Sequence, residues 1–371
     1  MSRSYNKEVF KSYTHADLDS FYGAEALDKA IQKADDPMLT GTSGMFNAIH
    51  GRTAFSQLNE QAQTWNVLPK VAWTKSGWRI RTARGVTLGS GGVADGSAIG
   101  DAVKSTIVEV STTPKISDTI FAEGTVFSLL NGDDKYAFEA EMELKGLDHI
   151  KDINTQLLKD VDTLAGSNFE SIDRICSNNS EATDATISLD AGDADIYGLD
   201  RDSVTTYDAY VDHNSASLRN VTIDMIRTGI RTIYQNSGKK PNVIITGSDQ
   251  YTNIVNLFES NNRFGFMKDF SVSINGVSTE VGQGVGLTVA TFDNIPMIED
   301  NDVHTETSGG SRIYLLNTDT IFLGIARPTK LTMVDEESIG RAHQNKNFYT
   351  TIGELICTQF SANGKIRDLN A

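Results

Sequence analysis

Two stretches of alternating apolar and polar residues flank a glycine-rich segment in the first third of the chain. In the first stretch, residues 70–84, Trp78 and Ile80 alternate with arginines, and a similar alternation runs through residues 101–120. A period of two residues predicts strands with two different faces. Residues 85–100 between them contain six glycines, which suit a flexible tip. The pattern therefore predicts a long two-armed hairpin.

The predicted hairpin is too long to be stable alone. At about 3.3 Å per residue, each arm would extend roughly 45–60 Å. An isolated two-stranded hairpin is only marginally stable in water, and the remaining pattern suggests a compact body. We therefore expect the supporting surface to belong to another copy of the chain.

A helical pattern follows the hairpin. Apolar residues recur at steps of three and four, which describes one helical stripe: Leu147, Ile150, Ile153, Leu157, Val161 and Leu164. Gly132 and the two aspartates after it suit a helix start. We expect one helix over about residues 133–165, about 50 Å long, and the alternative is two helices bent at Gly146.

The second half of the chain mixes helix and strand patterns. A helix is predicted over residues 217–236 with Gly238 as its C-cap, then a buried strand at 243–245 and another helix. The remainder is rich in strand patterns, and Asn275-Gly276 is a strong hairpin signal. These patterns predict the α+β fold class.

Residues 177–216 are acidic and rich in turn formers, so we expect a surface insertion there. Within it, Asp193 and Asp195 open a sequence similar to a calcium loop. Tyr197 occupies a position that needs a carboxylate or amide, and Val204 occupies that of the final glutamate. The two aspartates are weak metal candidates, and a hydrated acidic loop is the favoured interpretation.

Composition and charge argue against several classes of protein. The 371 residues carry a formal net charge of −16, which argues against a surface that wraps nucleic acid but permits DNA as enclosed content. Both cysteines, Cys176 and Cys357, lie in apolar settings and are expected to be free, buried thiols. The sequence has neither a signal-peptide pattern nor an apolar run long enough for a membrane span, which favours a cytoplasmic origin.

The sequence offers no convincing catalytic or cofactor chemistry. Its six histidines are scattered, and neither a zinc-binding pair nor a phosphate-binding glycine loop is present. Ser248 follows a strand and a turn, but it is better explained as a helix cap than as a nucleophile. We therefore expect no enzyme activity, no cofactor and no metal.

The order of parts resembles that of the HK97-type major capsid proteins of tailed viruses. Residues 241–266 (PNVIITGSDQYTNIVNLFESNNRFGF) look like the strand–helix segment of that family. Residues 292–303 and the strand ending in Leu316-Asn317-Thr318 are similar to its later strands and acidic turn. The resemblance covers most of residues 60–371 and rests on the order of these parts together.

The resemblance implies names for the parts of the chain. They are an N-terminal arm (1–69), an E-loop hairpin (70–120), a P-domain with the spine helix (121–176 and 311–371), an acidic insertion exposed on the shell (177–216) and an A-domain (217–310).

It also implies a function: a structural subunit whose hexamers and pentamers close an icosahedral shell around double-stranded DNA. The DNA would be enclosed without sequence-specific binding. The implied partners are a portal, a separate scaffolding protein and, where one is used, a decoration protein. The protein would assemble in the host cytoplasm and reside in the virion capsid, with no membrane involved. An encapsulin-like shell around a cargo enzyme and a soluble α/β enzyme are the alternatives.

Charge suggests where copies meet. The hairpin is basic at Lys75, Arg79, Arg81 and Arg84, and the early helix is acidic at Asp133, Asp134, Glu139, Glu141 and Glu143. We hypothesise that the hairpin of one copy rests on the helix of its neighbour, with several ion pairs setting the register. The alternative is that both sets of charges only keep solvent-facing surfaces hydrated.

Overall fold

The computed structural model describes most of the chain after residue 57. The described residues are 58–59, 61–85, 91–98, 101–124, 135–161, 166–184, 187, 195–201, 207–260, 272–274, 277–279, 290–305, 310–334 and 344–370. Most of the predicted N-terminal arm lies outside them, as do Asp133, Asp134 and Asp193. Glu139 lies in a described helix, but its side chain is not described.

The described helices are α1 (Gln63–Val67), α2 (Lys135–Leu157), α3 (Ile172–Ile175), α4 (Asn179–Ala182), α5 (Ile223–Ser237) and α6 (Ser248–Ser260). A 3₁₀ turn covers Phe360–Ala362. The described strands are β1 (Lys70–Ala72), β2 (Gly77–Ala83), β3 (Thr106–Ser111), β4 (Lys115–Gly124), β5 (Tyr210–Asp212), β6 (Val243–Thr246), β7 (Val272–Ile274), β8 (Val277–Thr279), β9 (Ala290–Phe292), β10 (Ile295–Glu299), β11 (Gly310–Leu316), β12 (Ile321–Val334), β13 (Gln344–Cys357) and β14 (Gly364–Asn370).

These strands form four sheets. One has six strands in the order β5-β14-β11-β6-β10-β9, and another has four in the order β1-β12-β13-β4. The remaining two are the hairpins β2–β3 and β7–β8. The β7–β8 pair places Ile274 opposite Val277, which confirms the predicted hairpin at this position. Helices and mixed sheets together confirm the α+β class.

The chain divides into two compact units. The first comprises residues 1–58, 119–146 and 331–349, and the second comprises 59–118, 147–330 and 350–371. Within the first unit, the ring of Tyr349 stacks on Phe121, and its hydroxyl donates to the backbone oxygen of Met142 at 3.1 Å. These contacts tie strand to helix inside that unit.

The six-stranded sheet, in the second unit, has an apolar core on each face. On one face Ile226 and Ile233 of α5 and Ile254 of α6 pack in one apolar cluster with three residues of the sheet: Ile244, Ile313 and Ile366. On the other face Ile245, Tyr314 and Leu316 join Ile153 and Leu157 of α2. Because both faces are covered, all four residues of β6 are buried, and each large aliphatic side chain contributes about 1.5–3 kcal/mol.

Local capping explains the bounds of α5. The side chain of Thr222 accepts a hydrogen bond from the backbone N–H of Met225 at 3.3 Å, so the helix begins at Ile223 rather than near residue 217. At the other end Gly238 adopts a φ of 75°, a left-handed conformation that glycine favours, which confirms the predicted C-cap.

The long helix is shorter than predicted. Helix α2 has 23 residues, about 34 Å, and ends at Leu157 instead of residue 165. It runs through Gly146 without interruption, so the two-helix alternative is wrong. The chain leaves the helix because Asp160 pairs with Arg312 and the N–H of Val161 donates to Asp173 at 2.8 Å.

The predicted arms of the hairpin are also too long. Strand β1 pairs in parallel with β12, with Lys70 opposite Leu323, and β4 belongs to the same four-stranded sheet. Only β2 and β3 pair with each other, from Gly77 opposite Ser111 to Ala83 opposite Thr106. The outer parts of both arms find partners in the four-stranded sheet, and a hairpin of about 20 Å remains.

The hairpin β2–β3 also finds support within its own chain, contrary to expectation. Trp78, Ile80 and Val108 pack against the apolar core of the second unit, and Val110 is only 2% exposed. The ring of Trp78 meets Tyr197 edge to face, with 5.1 Å between ring centroids. One face of the hairpin is therefore anchored, and the other remains free.

The expected surface insertion at residues 177–216 is wrong for the part that the structure describes. Glu181, Ile196 and Arg201 are fully or almost fully buried, and β5 is a strand of the six-stranded sheet. Arg201 donates to three backbone carbonyls, including that of Ile175 at 2.9 Å. The acidic Glu181 is neutralised inside the protein by Lys365 and Arg367 instead of facing water.

Two predicted boundaries do not separate compact parts. Strands β11 and β14 share one sheet with β6, so the chain does not divide between residues 310 and 311. Trp65, Val67 and Leu68, assigned to the N-terminal arm, are buried in the core of the second unit. The extents of the A-domain, the P-domain and the arm before residue 58 remain predictions.

Candidate intersubunit contact surface

The outer face of the hairpin β2–β3 consists of Arg79, Arg81, Ile107 and Glu109. These residues point away from the anchored face because side chains alternate along a strand. Arg79 and Glu109 lie opposite each other and pair at 2.8 Å, with side chains 74% and 76% exposed. At this exposure the pair contributes little stability, so both groups are available to another molecule.

The other predicted contact residues are exposed where their side chains are described, except Glu141, whose side chain is only 21% exposed. Lys75 and Arg84 are exposed, and the backbone oxygen of Arg84 accepts a hydrogen bond from Arg81 at 3.4 Å. In α2, Glu143 is exposed and Glu141 lies 4.0 Å from Lys145, one turn later. The basic residues belong to the second unit and the acidic ones to the first.

Apolar residues add to this surface, and sequence reasoning missed them. Ile107 on the outer face is 50% exposed, and Val93 and Val103, between the two strands, are exposed still further. Exposed apolar side chains beside exposed charges suit a protein–protein contact site. The alternation of Ile107 with inward-facing Val108 was the available signal, because it places an isoleucine on the polar face.

A chain of alternating basic and acidic side chains, most of them buried, crosses the second unit. The eight residues, each in contact with the next, are His304, Asp160, Arg312, Asp173, Lys365, Glu181, Arg367 and Asp368. They join β11 and β14 to α3, α4 and the segment after α2. No spacing in the sequence indicated these contacts.

The pKa values reflect this pairing. Burial alone would raise the pKa of Glu181, but Lys365 and Arg367 lower it to about 2. Burial likewise opposes ionisation of Asp160, but hydrogen bonds from His304 and Arg312 hold its pKa far below its usual range. Both carboxylates are therefore ionised at neutral pH, as paired buried charges must be.

Metal binding finds no support in the described residues. They contain no group of three His, Cys, Asp or Glu side chains arranged for a metal ion. Oδ1 of Asp195 accepts a hydrogen bond from the backbone N–H of Arg201 at 3.1 Å, so this carboxylate stabilises its own loop. Its companion Asp193 lies outside the described residues.

The described helices also include none that is long and apolar enough to span a membrane. Both cysteines are free and fully buried, as predicted. Burial raises the pKa of the Cys357 thiol to about 12, so it is not a reactive thiolate at neutral pH.

An α+β subunit with an anchored hairpin, a long helix and a two-faced sheet defines the class of HK97-fold capsid proteins. The fold matches the capsid of cyanophage A-1(L), with a TM-score of 0.61 and 13% identity over 85% of this chain and 96% of that one. It also matches the capsid of a native GTA particle, with a TM-score of 0.54 and 8% identity over 92% and 97%.

The family model of the SU10 major capsid protein matches residues 103–369, and the chain belongs to this family. It is a subunit of a phage capsid shell and a structural protein rather than an enzyme. No curated protein sequence matches the chain. The family match favours the viral capsid over the encapsulin-like alternative.

One constellation in the second unit resembles a catalytic triad. Oγ of Ser180 lies 3.0 Å from Nε2 of His213, whose Nδ1 lies 3.5 Å from Oδ2 of Asp184. The same Asp184 oxygen accepts a hydrogen bond from Ser215 at 2.7 Å. In a structural family, this network serves to hold the turn at residues 214–217 against α4.

Proposed function

We propose that this chain is the repeating subunit of an icosahedral virion shell, built from hexamers and pentamers, that encloses the double-stranded DNA of a tailed virus. In this proposal the hairpin β2–β3 of one copy rests on α2 of a neighbouring copy. The main support for this proposal is the hairpin β2–β3. Its inner face is anchored in the core, and its outer face exposes charged residues beside Ile107.

Charge complementarity supports the choice of α2 as the docking partner. The hairpin exposes Arg79 and Arg81, and α2 exposes Glu143. Each exposed ion pair contributes at most about 1 kcal/mol, but repetition over a closed shell adds up and fixes the register of neighbouring copies. Glu139, Asp133 and Asp134 stay sequence-based predictions of further acidic contact residues.

The other partners follow from the capsid role. We propose a portal and a separate scaffolding protein, with assembly in the host cytoplasm. A net charge of −16 suits a wall that contains DNA without binding its sequence. Nuclease-resistant DNA in particles purified from infected cells would support this content, whereas an enzyme cargo instead of nucleic acid would favour the encapsulin-like alternative.

A charge-reversal experiment tests the docking. The triple variant R79E/R81E/R84E should remain a folded subunit by circular dichroism but give at least tenfold fewer particles by sedimentation and negative-stain microscopy. The control R231E/K239E/K240E makes the same change in net charge at exposed residues elsewhere and should assemble. Adding E139K/E141K/E143K to the hairpin variant should restore shells. Normal shells from the hairpin variant would refute the docking.

A further inference from the structure

An open polar cavity of about 560 Å³ lies beside the end of the hairpin β2–β3, within the second unit. Ser76, Thr113 and Lys115 form its wall on the hairpin side, and Glu170, Arg174 and Glu354 lie on the body side. The volume far exceeds the roughly 30 Å³ of one water molecule, so the cavity has room for a side chain and the backbone that carries it.

Arg174 gives this cavity an unused hydrogen-bond donor. Its side chain is buried, with the residue 5% exposed, and Nη2 donates to the backbone oxygen of Asp195. Nε lies 3.2 Å from Oε1 of Glu170. Nε and Nη1 are both buried, and neither has a hydrogen-bond partner among the described residues. A buried guanidinium donor without an acceptor is costly, so an incoming acceptor would satisfy it.

The cavity is also positively charged at neutral pH. Lys115 and Arg174 each contribute one positive charge. Burial raises the pKa of Glu354 to about 8, so this carboxyl is mostly protonated at neutral pH, and Glu170 contributes at most one negative charge. A net charge of about +1 or more remains, in a chain whose formal net charge is −16.

We propose that this cavity binds one carboxylate group, presented by an Asp or Glu side chain of a second copy of this chain. The carboxylate pairs with Lys115, and a rotation of the Arg174 side chain toward the cavity would let the guanidinium donate to it. The hydroxyl of Thr113 can donate to its other oxygen. The inference rests on the proposed function, because the carboxylate comes from another subunit. A carboxylate matches a planar guanidinium donor.

Two observations point to a second copy as the source. The cavity adjoins the hairpin β2–β3, whose outer face is the proposed contact surface, so one neighbour can reach both. The chain has 49 acidic residues against 33 lysines and arginines, so its copies present carboxylates in excess. A positive cavity on an acidic subunit is therefore complementary to the subunit's own surface.

A tethered carboxylate tests the proposal. Thr113 is exposed at the cavity, and Thr113→Glu would place a carboxylate of the same chain where the partner's should bind. We expect T113E subunits to fold but to give at least tenfold fewer shells, whereas T113Q, with the same size and no charge, should assemble like wild type. T113E shells at the T113Q yield would overturn the inference.

Zero-length cross-linking identifies the source of the carboxylate. A water-soluble carbodiimide should join Lys115 to an Asp or Glu in assembled shells, and in shells of mixed ¹⁴N and ¹⁵N subunits the linked peptides should carry both labels. Links confined to one label would overturn the second-copy source. A free ion as the occupant would also overturn the second-copy source. In that case acetate would raise the melting temperature of wild-type subunits above that of chloride controls, and T113E subunits would still assemble.

The experiments distinguish failure of the carboxylate-binding inference from failure of the proposed function. If neither wild type nor T113Q forms shells, the proposed assembly fails and the inference fails with it. If wild type, T113Q and T113E all form normal shells, the assembly stands and only the carboxylate-binding role of the cavity is overturned.

Discussion

Arg312 and Asp160 form a bidentate ion pair, with Nη1 2.7 Å from Oδ1 and Nη2 3.0 Å from Oδ2. The pair links β11 in the centre of the sheet to the segment directly after α2. Nη1 also lies 2.9 Å from Asp173, so one guanidinium neutralises two buried carboxylates. The position at which the long helix ends therefore depends on a residue about 150 positions later.

Replacing Arg312 with Met should be strongly destabilising. The change keeps an apolar stem of similar length but leaves Asp160 and Asp173 without this cation, which for a buried pair costs about 3–5 kcal/mol. Urea unfolding of unassembled subunits measures the loss. Arg227→Met, at an exposed pair with Asp293, is the matched control and should not change the urea midpoint measurably. Equal midpoints for the two variants would contradict this account.

Trp78 should anchor the hairpin. Trp78→Ala removes the edge-to-face contact with Tyr197 and part of the apolar face, so we expect a loss of about 2–4 kcal/mol. Amide hydrogen exchange in β2 and β3 should also accelerate. Ile107→Ala, on the outer face of the same hairpin, should leave the stability of the isolated subunit unchanged and reduce shell assembly. Unchanged exchange in W78A would show that the anchor lies elsewhere.

Two glycines inside helices should respond in opposite ways to alanine. At Gly146 an added Cβ would make ordinary contact with the Tyr349 ring at 3.4 Å, so the better helix propensity of alanine should stabilise by about 0.5–1 kcal/mol. At Gly229 it would lie 2.8 Å from Cδ1 of Leu315 and 3.0 Å from Tyr210, and overpacking should destabilise by about 1–2 kcal/mol. Thermal melts of both variants test the contrast, and shifts of the same sign would contradict it.

Glu354 should make the subunit less stable as pH rises. Burial raises its pKa from an ordinary 4.5 to about 8, so between these values the unfolded chain binds fewer protons than the folded one. The contribution of Glu354 to the free energy of unfolding should be highest below pH 4.5, decline toward pH 8 and level off above it.

The variant Glu354→Gln isolates this effect. A glutamine oxygen can still accept from the backbone N–H groups of Glu170 and Leu355, at 2.7 and 2.9 Å in the wild type. Without the titration, E354Q should match wild type near pH 4.5 and exceed it at pH 8 by on the order of 3–5 kcal/mol. Parallel stability curves for the two proteins from pH 4.5 to 8 would contradict the raised pKa.

The sequence predicted correctly those elements that depend only on residues a few positions apart. The cap at Gly238, the apolar run of β6 and the hairpin signal between β7 and β8 each act within a few residues. The structure confirms the cap, the buried strand and the pairing of β7 with β8. Strand β1 is different, because its partner Leu323 lies about 250 residues from Lys70 and no local pattern specifies that pairing.

The acidic stretch around Glu181 was wrongly predicted to be exposed, again because its partners lie far away in the sequence. Glu181 belongs to a stretch whose acidity suggests solvent exposure, yet Lys365 lies 2.8 Å away and both side chains are fully buried. Composition reports how many charges a segment has and not where their counterions lie. The contact surface was predicted in outline, since Arg79 and Arg81 are exposed, but Ile107 and the cavity around Arg174 required the fold.

The two faces of the six-stranded sheet should tolerate substitutions differently in related capsid proteins. Aliphatic residues such as Ile313 and Ile366 can exchange for others of similar volume one at a time. Asp173, Arg312 and Lys365 cannot, because losing any one leaves its neighbours charged and buried. In diverged relatives these three positions should therefore covary, whereas the aliphatic positions should vary independently of one another.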